Sequence, residues 1–216
     1  MKNYGSRMVR LILGLFLFAL GSYFSIQANI GLAPWEAFSM GVSNLTRLSY
    51  GNIVVLTGFV ILVADYLLKE KIGFGTILNA LLIGKFVDLI QYIDIVPKMT
   101  HFWSGLLMLL TGQFVLCIGS FLYISAALGC GPRDALMVAL GKRMPRVPIG
   151  VIRAMIEGSV LIVGWLLGAK VGIGTAISVF GIGFTLQFTF RILNFNVKQI
   201  EHESISDTLR SRPVEV

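Results

Sequence analysis

The stretch GLAPWEA at residues 31–37 separates two apolar runs, and it recurs 98 residues later as GCGPRDA at residues 129–135. In each copy, glycine stands where a helix would end and proline where the next would begin, which are common stop and start signals. Both stretches therefore predict a break between two helices. The residues assigned to the breaks are Gly31, Pro34, Gly129, Gly131 and Pro132.

The repeat extends well beyond these breaks. Gly21 matches Gly119 at the offset of 98 residues, and after one inserted residue Gly51 matches Gly150 at an offset of 99. An ordered series of matches with a single change of offset indicates an internal duplication. The predicted division of the chain is repeat one over 1–98, repeat two over 99–195 and a solvated cytoplasmic tail over 196–216.

The composition places both repeats in a membrane. Apolar residues make up 56% of the 216 residues and charged residues only 13%, whereas soluble domains are about a quarter charged. Since about 20 apolar residues cross a bilayer as a helix, the sequence predicts an all-α polytopic protein with six transmembrane helices. The predicted spans are 9–30, 50–68, 73–95, 103–128, 148–168 and 172–193.

A short helix is predicted after each break, over 34–44 and 132–142. Neither is long enough to span the bilayer. Two interpretations stay open: an interfacial helix that links two spans, or a half-helix that dips inward and presents unpaired amides to a polar path. Glu36 and Asp134 fall in the first turns, where a carboxylate suits the positive helix end.

Because each repeat has three spans, the second repeat should be inverted relative to the first. The charge distribution supports this: with the N-terminus inside, inner segments contain thirteen Lys and Arg residues, and outer loops contain only Arg47, Lys98 and Lys170. The net charge of +7 is explained by the same bias and not by nucleic-acid binding. We expect inverted repeats with both termini in the cytoplasm.

Two pairs of charged residues lie within predicted spans. Lys85 and Asp88 are three residues apart on the third span, and Arg153 and Glu157 are four apart on the fifth. Intramembrane charge is costly and usually faces the bundle interior or a water-filled cavity. Either each pair neutralises itself and locks the bundle, or these residues line a substrate or ion pathway together with Arg133, Asp134 and Glu36.

Several classes of function find no support. The sequence has no phosphate-binding loop, no zinc-protease motif and no nucleophile elbow, and its two Cys and two His residues predict no metal site. We therefore expect no cofactor, no nucleic-acid partner and no enzyme. The predicted partners are the lipid bilayer and a small solute or ion of unknown identity, and a homo-oligomer is compatible with the sequence.

The ordered motifs resemble the YczE-like integral membrane proteins of bacteria, which are loosely grouped with the YyaS and YitT proteins. The resemblance rests on residues 31–37, 84–88, 129–137, 164–168 and 172–175, and it covers about residues 10–195. It implies a bacterial plasma-membrane protein of uncharacterised activity.

The leading functional hypothesis is a small secondary transporter or channel-like permease, based on the repeats, the breaks and the buried charges. Arg133 and Arg153 slightly favour anionic or zwitterionic solutes. The competing hypothesis is a membrane scaffold or accessory protein for a biosynthetic complex, in which the charge pairs would be structural.

Overall fold

The computed structural model of the chain describes residues 4–195, 200 and 202–204, and all regular structure in these residues is helical. The eight helices of the described residues are α1 (Tyr4–Gln27), α2 (Pro34–Thr46), α3 (Tyr50–Leu67), α4 (Phe74–Ile93), α5 (Phe102–Ser125), α6 (Pro132–Arg143), α7 (Ile149–Leu166) and α8 (Ile173–Ile192).

Six of these helices (α1, α3, α4, α5, α7 and α8) are long and apolar enough to cross a membrane, as predicted. The other two, α2 and α6, are the short helices after the breaks. The largest difference from the predicted bounds is at α1, which begins at Tyr4 and not at residue 9. The helix starts earlier than the apolar run because its first turns also contain the charged residues Arg7 and Arg10.

An antiparallel pair, α1 and α5, forms the centre of the bundle. A Cβ atom added to Gly14 would lie 2.8 Å from the carbonyl oxygen of Gly119, and one added to Gly112 would lie 2.8 Å from that of Gly21. Small residues at these contacts let the two backbones approach closely. We call the end with the start of α1 and the end of α5 the near end, and the opposite end the far end.

The short helix of each half packs on a span of the other half. α2 packs against α7, where Gly41 lies beside Gly164, and α6 packs against α3. These helix–helix contacts between the two halves hold the halves together directly, and no loop takes part in them. The packing of α2 on α7 is the more extensive of the two.

The outer helices of the two halves are arranged differently. In the first half, α3 packs closely on α4, with Gly51 against Gly84 and Gly58 against Ala80. In the second half, α8 packs on α5, and within the described chain no comparable contact joins α7 to α8. The second half of the bundle is therefore open between these two helices.

Candidate functional site

The two helix breaks have the same backbone conformation. Asn29 and Ala127, which follow α1 and α5, are left-handed with φ of 59° and 57°, and Gly31 and Gly129 both have φ of 131°. Positive φ of this size strains any residue with a Cβ atom, so glycine is required at both positions.

Each break is bound to the start of a span from the other half. The amide of Gly174, at the start of α8, donates to the carbonyl of Ile30 at 2.9 Å, and that of Gly75, at the start of α4, donates to Leu128 at 2.7 Å. These bonds fix the breaks at opposite ends of the α1–α5 pair.

Both short helices begin without a side-chain cap. Proline occupies the first position of each, and the next two amides (of Trp35 and Glu36 in α2, and of Arg133 and Asp134 in α6) have no acceptor among the described residues. The first amides of a helix carry partial positive charge and can bind an acceptor from a ligand. The N-termini of α2 and α6 are therefore two positions at which the protein can bind such an acceptor.

The N-terminal turns of α2 and α6 meet inside the bundle. The guanidinium carbon of Arg133 lies 4.3 Å from the centre of the Trp35 ring. In addition, the hydroxyl of Ser22, more than a turn before the end of α1, donates to Glu36 Oε1 at 2.9 Å. Of the two interpretations of the short helices, this geometry matches half-helices that dip inward.

A cavity of about 1380 Å³ lies around this junction. Five of the predicted site residues line it: Glu36, Arg133, Asp134, Arg153 and Glu157. Uncharged polar side chains complete the polar wall: Asn79, Gln113, Ser120 and Ser178. A concave site with a few convergent polar groups is the usual form of a small-molecule site.

The charged groups of the cavity differ in how they are paired. Arg153 Nε donates to Glu157 Oε1 at 2.7 Å, and the Tyr123 hydroxyl donates to Asp134 Oδ2 at 3.2 Å. Arg133 makes no hydrogen bond or ion pair with the described residues. Asp134 is exposed to the cavity, but the surrounding bundle desolvates its carboxyl group and raises its pKa, and Arg153, the next largest influence, lowers it. At the half-helix junction the cavity therefore offers the Arg133 cation, without a hydrogen-bond partner among the described residues, beside partly satisfied carboxylates.

Asp88 and Lys85, the other two predicted pathway residues, do not line this cavity. Asp88 accepts from the Ser49 hydroxyl at 2.6 Å and from the Gly51 amide at 2.7 Å, so it caps the start of α3. Lys85 is exposed and donates to Asn52 at 2.8 Å. Their charges are satisfied by the end of a neighbouring helix, so they contribute to packing.

The near end of the cavity is bordered by the described part of the tail. Arg7 forms an ion pair with Glu203 at 2.6 Å, and the Glu203 amide donates to the Ala127 carbonyl at 3.0 Å. His202 is half-buried beside the cavity, and this burial lowers its pKa. The tail was expected to be solvated, but its described residues pack against the bundle.

Two further residues were not recognised as part of the interior. Trp35, for which the sequence predicts no role, contacts Arg133 at the centre of the bundle. Asp65 on α3 is fully buried, and neither carboxylate oxygen has a hydrogen-bond partner in the described structure. Its match in the second repeat is Gly164. A carboxylate at a position where the other repeat has glycine was the signal in the sequence that could have identified Asp65.

The chain matches, over residues 5–191, the family described as "Family of unknown function (DUF6198)". It belongs to this family. An uncharacterized protein of Haemophilus influenzae is 32% identical over 183 residues, covering 85% of this chain and 83% of that protein. The family match over residues 5–191 includes both breaks and all but the outermost residues of the six spans.

Two proteins of Bacillus subtilis are also similar. The uncharacterized membrane protein YczE is 27% identical over 190 residues (85% of this chain, 87% of YczE), and the uncharacterized protein YyaS is 25% identical over 173 residues (77% and 84%). No solved structure matches. The predicted YczE-like relationship is thus confirmed, and the family is one of membrane proteins without an assigned activity.

Proposed function

We propose that this DUF6198 protein is a small secondary transporter of the bacterial plasma membrane and not an enzyme. The observation that carries the proposal is the meeting of two uncapped half-helix N-termini, with Arg133 unpaired, at a cavity inside six membrane spans. Discontinuous helices whose N-termini face a central site are a recurrent design of secondary transporters.

An inverted repeat is part of this proposal, and the central contacts support it. Gly14 faces Gly119 and Gly21 faces Gly112, while the repeat offset relates Gly14 to Gly112 and Gly21 to Gly119. The two contacts therefore exchange under the repeat, as a two-fold axis between antiparallel helices requires. The excess of basic residues in the segments predicted inside makes the near end cytoplasmic.

The charges of the site favour an anionic or zwitterionic solute. Arg133 and the free amides of both half-helices can bind a carboxylate or a similar anionic group. Glu36 and Asp134, within the same cavity, can bind a positive group of the same solute. The cavity volume of about 1380 Å³ admits a solute with a hydration shell.

The test is an untargeted comparison of solute uptake by proteoliposomes with and without the protein. For each solute that accumulates, Arg133→Gln and Glu157→Gln should reduce uptake at least about tenfold, because each loses about 1.4 kcal/mol or more of charged interaction. The matched control is Lys85→Gln, which removes a charge outside the cavity. Absence of any protein-dependent flux, together with a co-purifying partner, would favour the scaffold hypothesis.

A further inference from the structure

The two halves contain matching pairs of glycines that are packed in one half and separated in the other. A Cβ atom added to Gly51 or to Gly84 would clash with the carbonyl of its partner, so α3 and α4 touch there. The matches at the offset of 99 residues are Gly150 on α7 and Gly183 on α8. Neither has any atom within 4 Å of an added Cβ.

Gly150 and Gly183 make no close contact with another helix in the observed packing. Glycine inside a helix costs about 0.5–1 kcal/mol relative to alanine. Gly51 and Gly84 offset this cost by allowing close contact, but Gly150 and Gly183 face open space. A contact between α7 and α8 that is absent from the observed arrangement would explain them.

The packed pair and the separated pair lie toward opposite ends of the bundle. Gly51 is at the start of α3, where Asp88 also binds the Ser49 hydroxyl and the Gly51 amide, in the far-end half. Gly150 is at the start of α7, at the near end. The observed state is thus closed by α3 and α4 toward the far end and open between α7 and α8 at the near end.

The cavity has the corresponding asymmetry. Its wall includes near-end residues such as Glu70, Lys142 and His202. Of the far-end loop residues of the described chain (28–33, 47–49, 94–101 and 167–172), only Ala33 lines it. The cavity therefore extends further toward the near end than toward the far end.

We propose that the protein alternates between this state and a second state in which α7 closes on α8 through Gly150 and Gly183, while α3 separates from α4 at Gly51 and Gly84. The inference rests on the proposed transport function and makes it a carrier with alternating access, not an open channel. In the second state Asp88 no longer binds the Ser49 hydroxyl and the Gly51 amide. In the observed state these two hydrogen bonds hold the far-end gate closed. By the repeat, Gln187, the match of Asp88 on α8, would bind the start of α7 in this second state.

The middle of the α7–α8 seam contains a charge that its counterpart lacks. Gly58 packs on Ala80, whereas its match is Glu157, paired with Arg153 at 2.7 Å. Closure removes Glu157 from the cavity water, which is costly for a carboxylate with one partner. Closure is therefore coupled to neutralisation of Glu157 by a bound group, and Glu157→Gln should favour the closed state.

The first experiment measures closure directly in membranes. Gly150→Cys and Gly183→Cys are combined in a Cys117→Ser, Cys130→Ser background, and cross-linking is followed with a short bifunctional thiol reagent. We expect a cross-link, formed faster with Glu157→Gln. The control pair uses Gly150→Cys with Phe184→Cys, since Phe184 is 75% exposed on another face of α8. Equal cross-linking of both pairs, or none of the first, overturns the inference.

The second experiment measures opening of the far-end gate without a known solute. Val54→Cys, a buried position on the cavity wall, is labelled by a membrane-impermeant maleimide added outside intact cells. Gly183→Leu, which fits the open space here but blocks closure, should lower the labelling rate about tenfold through its effect on the population of the second state. Gly158→Leu is the control, because it also faces open space but its match is Phe59.

The two proposals fail in different ways. Solute flux without the Gly150–Gly183 cross-link and without external labelling of Val54→Cys leaves the transport proposal intact and overturns the gating inference. A Gly150–Gly183 cross-link, together with external labelling of Val54→Cys that Gly183→Leu slows, supports the two-state movement, and absence of any solute flux then overturns transport alone.

Discussion

Trp35 and Arg133 occupy the same position in the two copies of the helix break, and in the folded protein they contact each other, with the guanidinium carbon 4.3 Å from the ring centre. Under the proposed two-fold relation, equivalent residues of the two repeats meet only at the axis. At this point an aromatic face contacts a cation, and the two attract each other. Identical residues in the two repeats would instead have placed two like charges or two rings together.

The stacking of Arg133 on Trp35 should be measurable as a coupling free energy. We expect Trp35→Leu and Arg133→Met to be non-additive by about 1–2 kcal/mol in unfolding experiments in detergent, because both side chains are partly buried inside the bundle. The control is Trp165→Leu, which removes an exposed indole. Additivity of the two central substitutions within about 0.3 kcal/mol would contradict a stabilising contact.

The break glycines should tolerate no side chain. Gly31→Ala and Gly129→Ala should each lower the free energy of unfolding by about 1–3 kcal/mol, because both need φ of 131°. An added Cβ at Gly31 would also lie 2.8 Å from the Gly172 amide nitrogen. Gly158→Ala, in an open helical position, should instead stabilise α7 by about 0.5–1 kcal/mol. Equal effects at all three sites would show that the break conformation is not required.

The helices and breaks could be predicted because their signals are local. Span length follows from apolar runs, and the Gly31 and Pro34 pattern marks a stop and a start within a few residues. Even the contact of Trp35 with Arg133 was available in principle, since two matching positions with complementary chemistry suggest a shared axis.

The composition of the site could be predicted only in part. Glu157 and Arg153 were identified because charge inside a membrane seldom lacks a partner or a cavity. Asp88 satisfied the same criterion, but its partners are the Ser49 hydroxyl and the Gly51 amide of another helix. Whether a carboxylate faces a cavity or a neighbouring helix end depends on tertiary packing, which the spacing along one helix does not contain.

The two intramembrane aspartates should respond oppositely to removal of charge. Asp65→Leu should raise the free energy of unfolding by about 1–3 kcal/mol, because both Asp65 oxygens are buried without partners. Asp88→Asn should lower it by a similar amount, because the amide replaces one acceptor with a donor facing Ser49 or Gly51. A strong loss of stability in Asp65→Leu would show that Asp65 has a partner after all.

Cys130 should be a slow thiol whose reactivity reports on the cavity. Burial, and next the charge of Asp134, raise its pKa from the ordinary 9.0 to about 11, so its thiolate fraction at neutral pH is about a hundredfold lower. In a Cys117→Ser background, alkylation should accelerate about tenfold per pH unit up to about pH 11. Asp134→Asn should raise the rate at neutral pH, whereas Lys85→Gln should not. A rate that levels off near pH 9 would contradict this burial.

The inverted arrangement can be tested by the sidedness of two loops. Arg47 ends α2, whose break follows the far end of α1, and Arg146 follows α6, whose break follows the near end of α5. Reporter fusions truncated after Arg47 and after Arg146 should therefore appear on opposite sides of the membrane, with Arg146 in the cytoplasm, since its stretch is the more basic. Full-length proteins with single glycosylation or cysteine tags at the same loops control for truncation. Both tags on one side would remove the two-fold relation, and with it the equivalence of Gly51 with Gly150 on which the two gates depend.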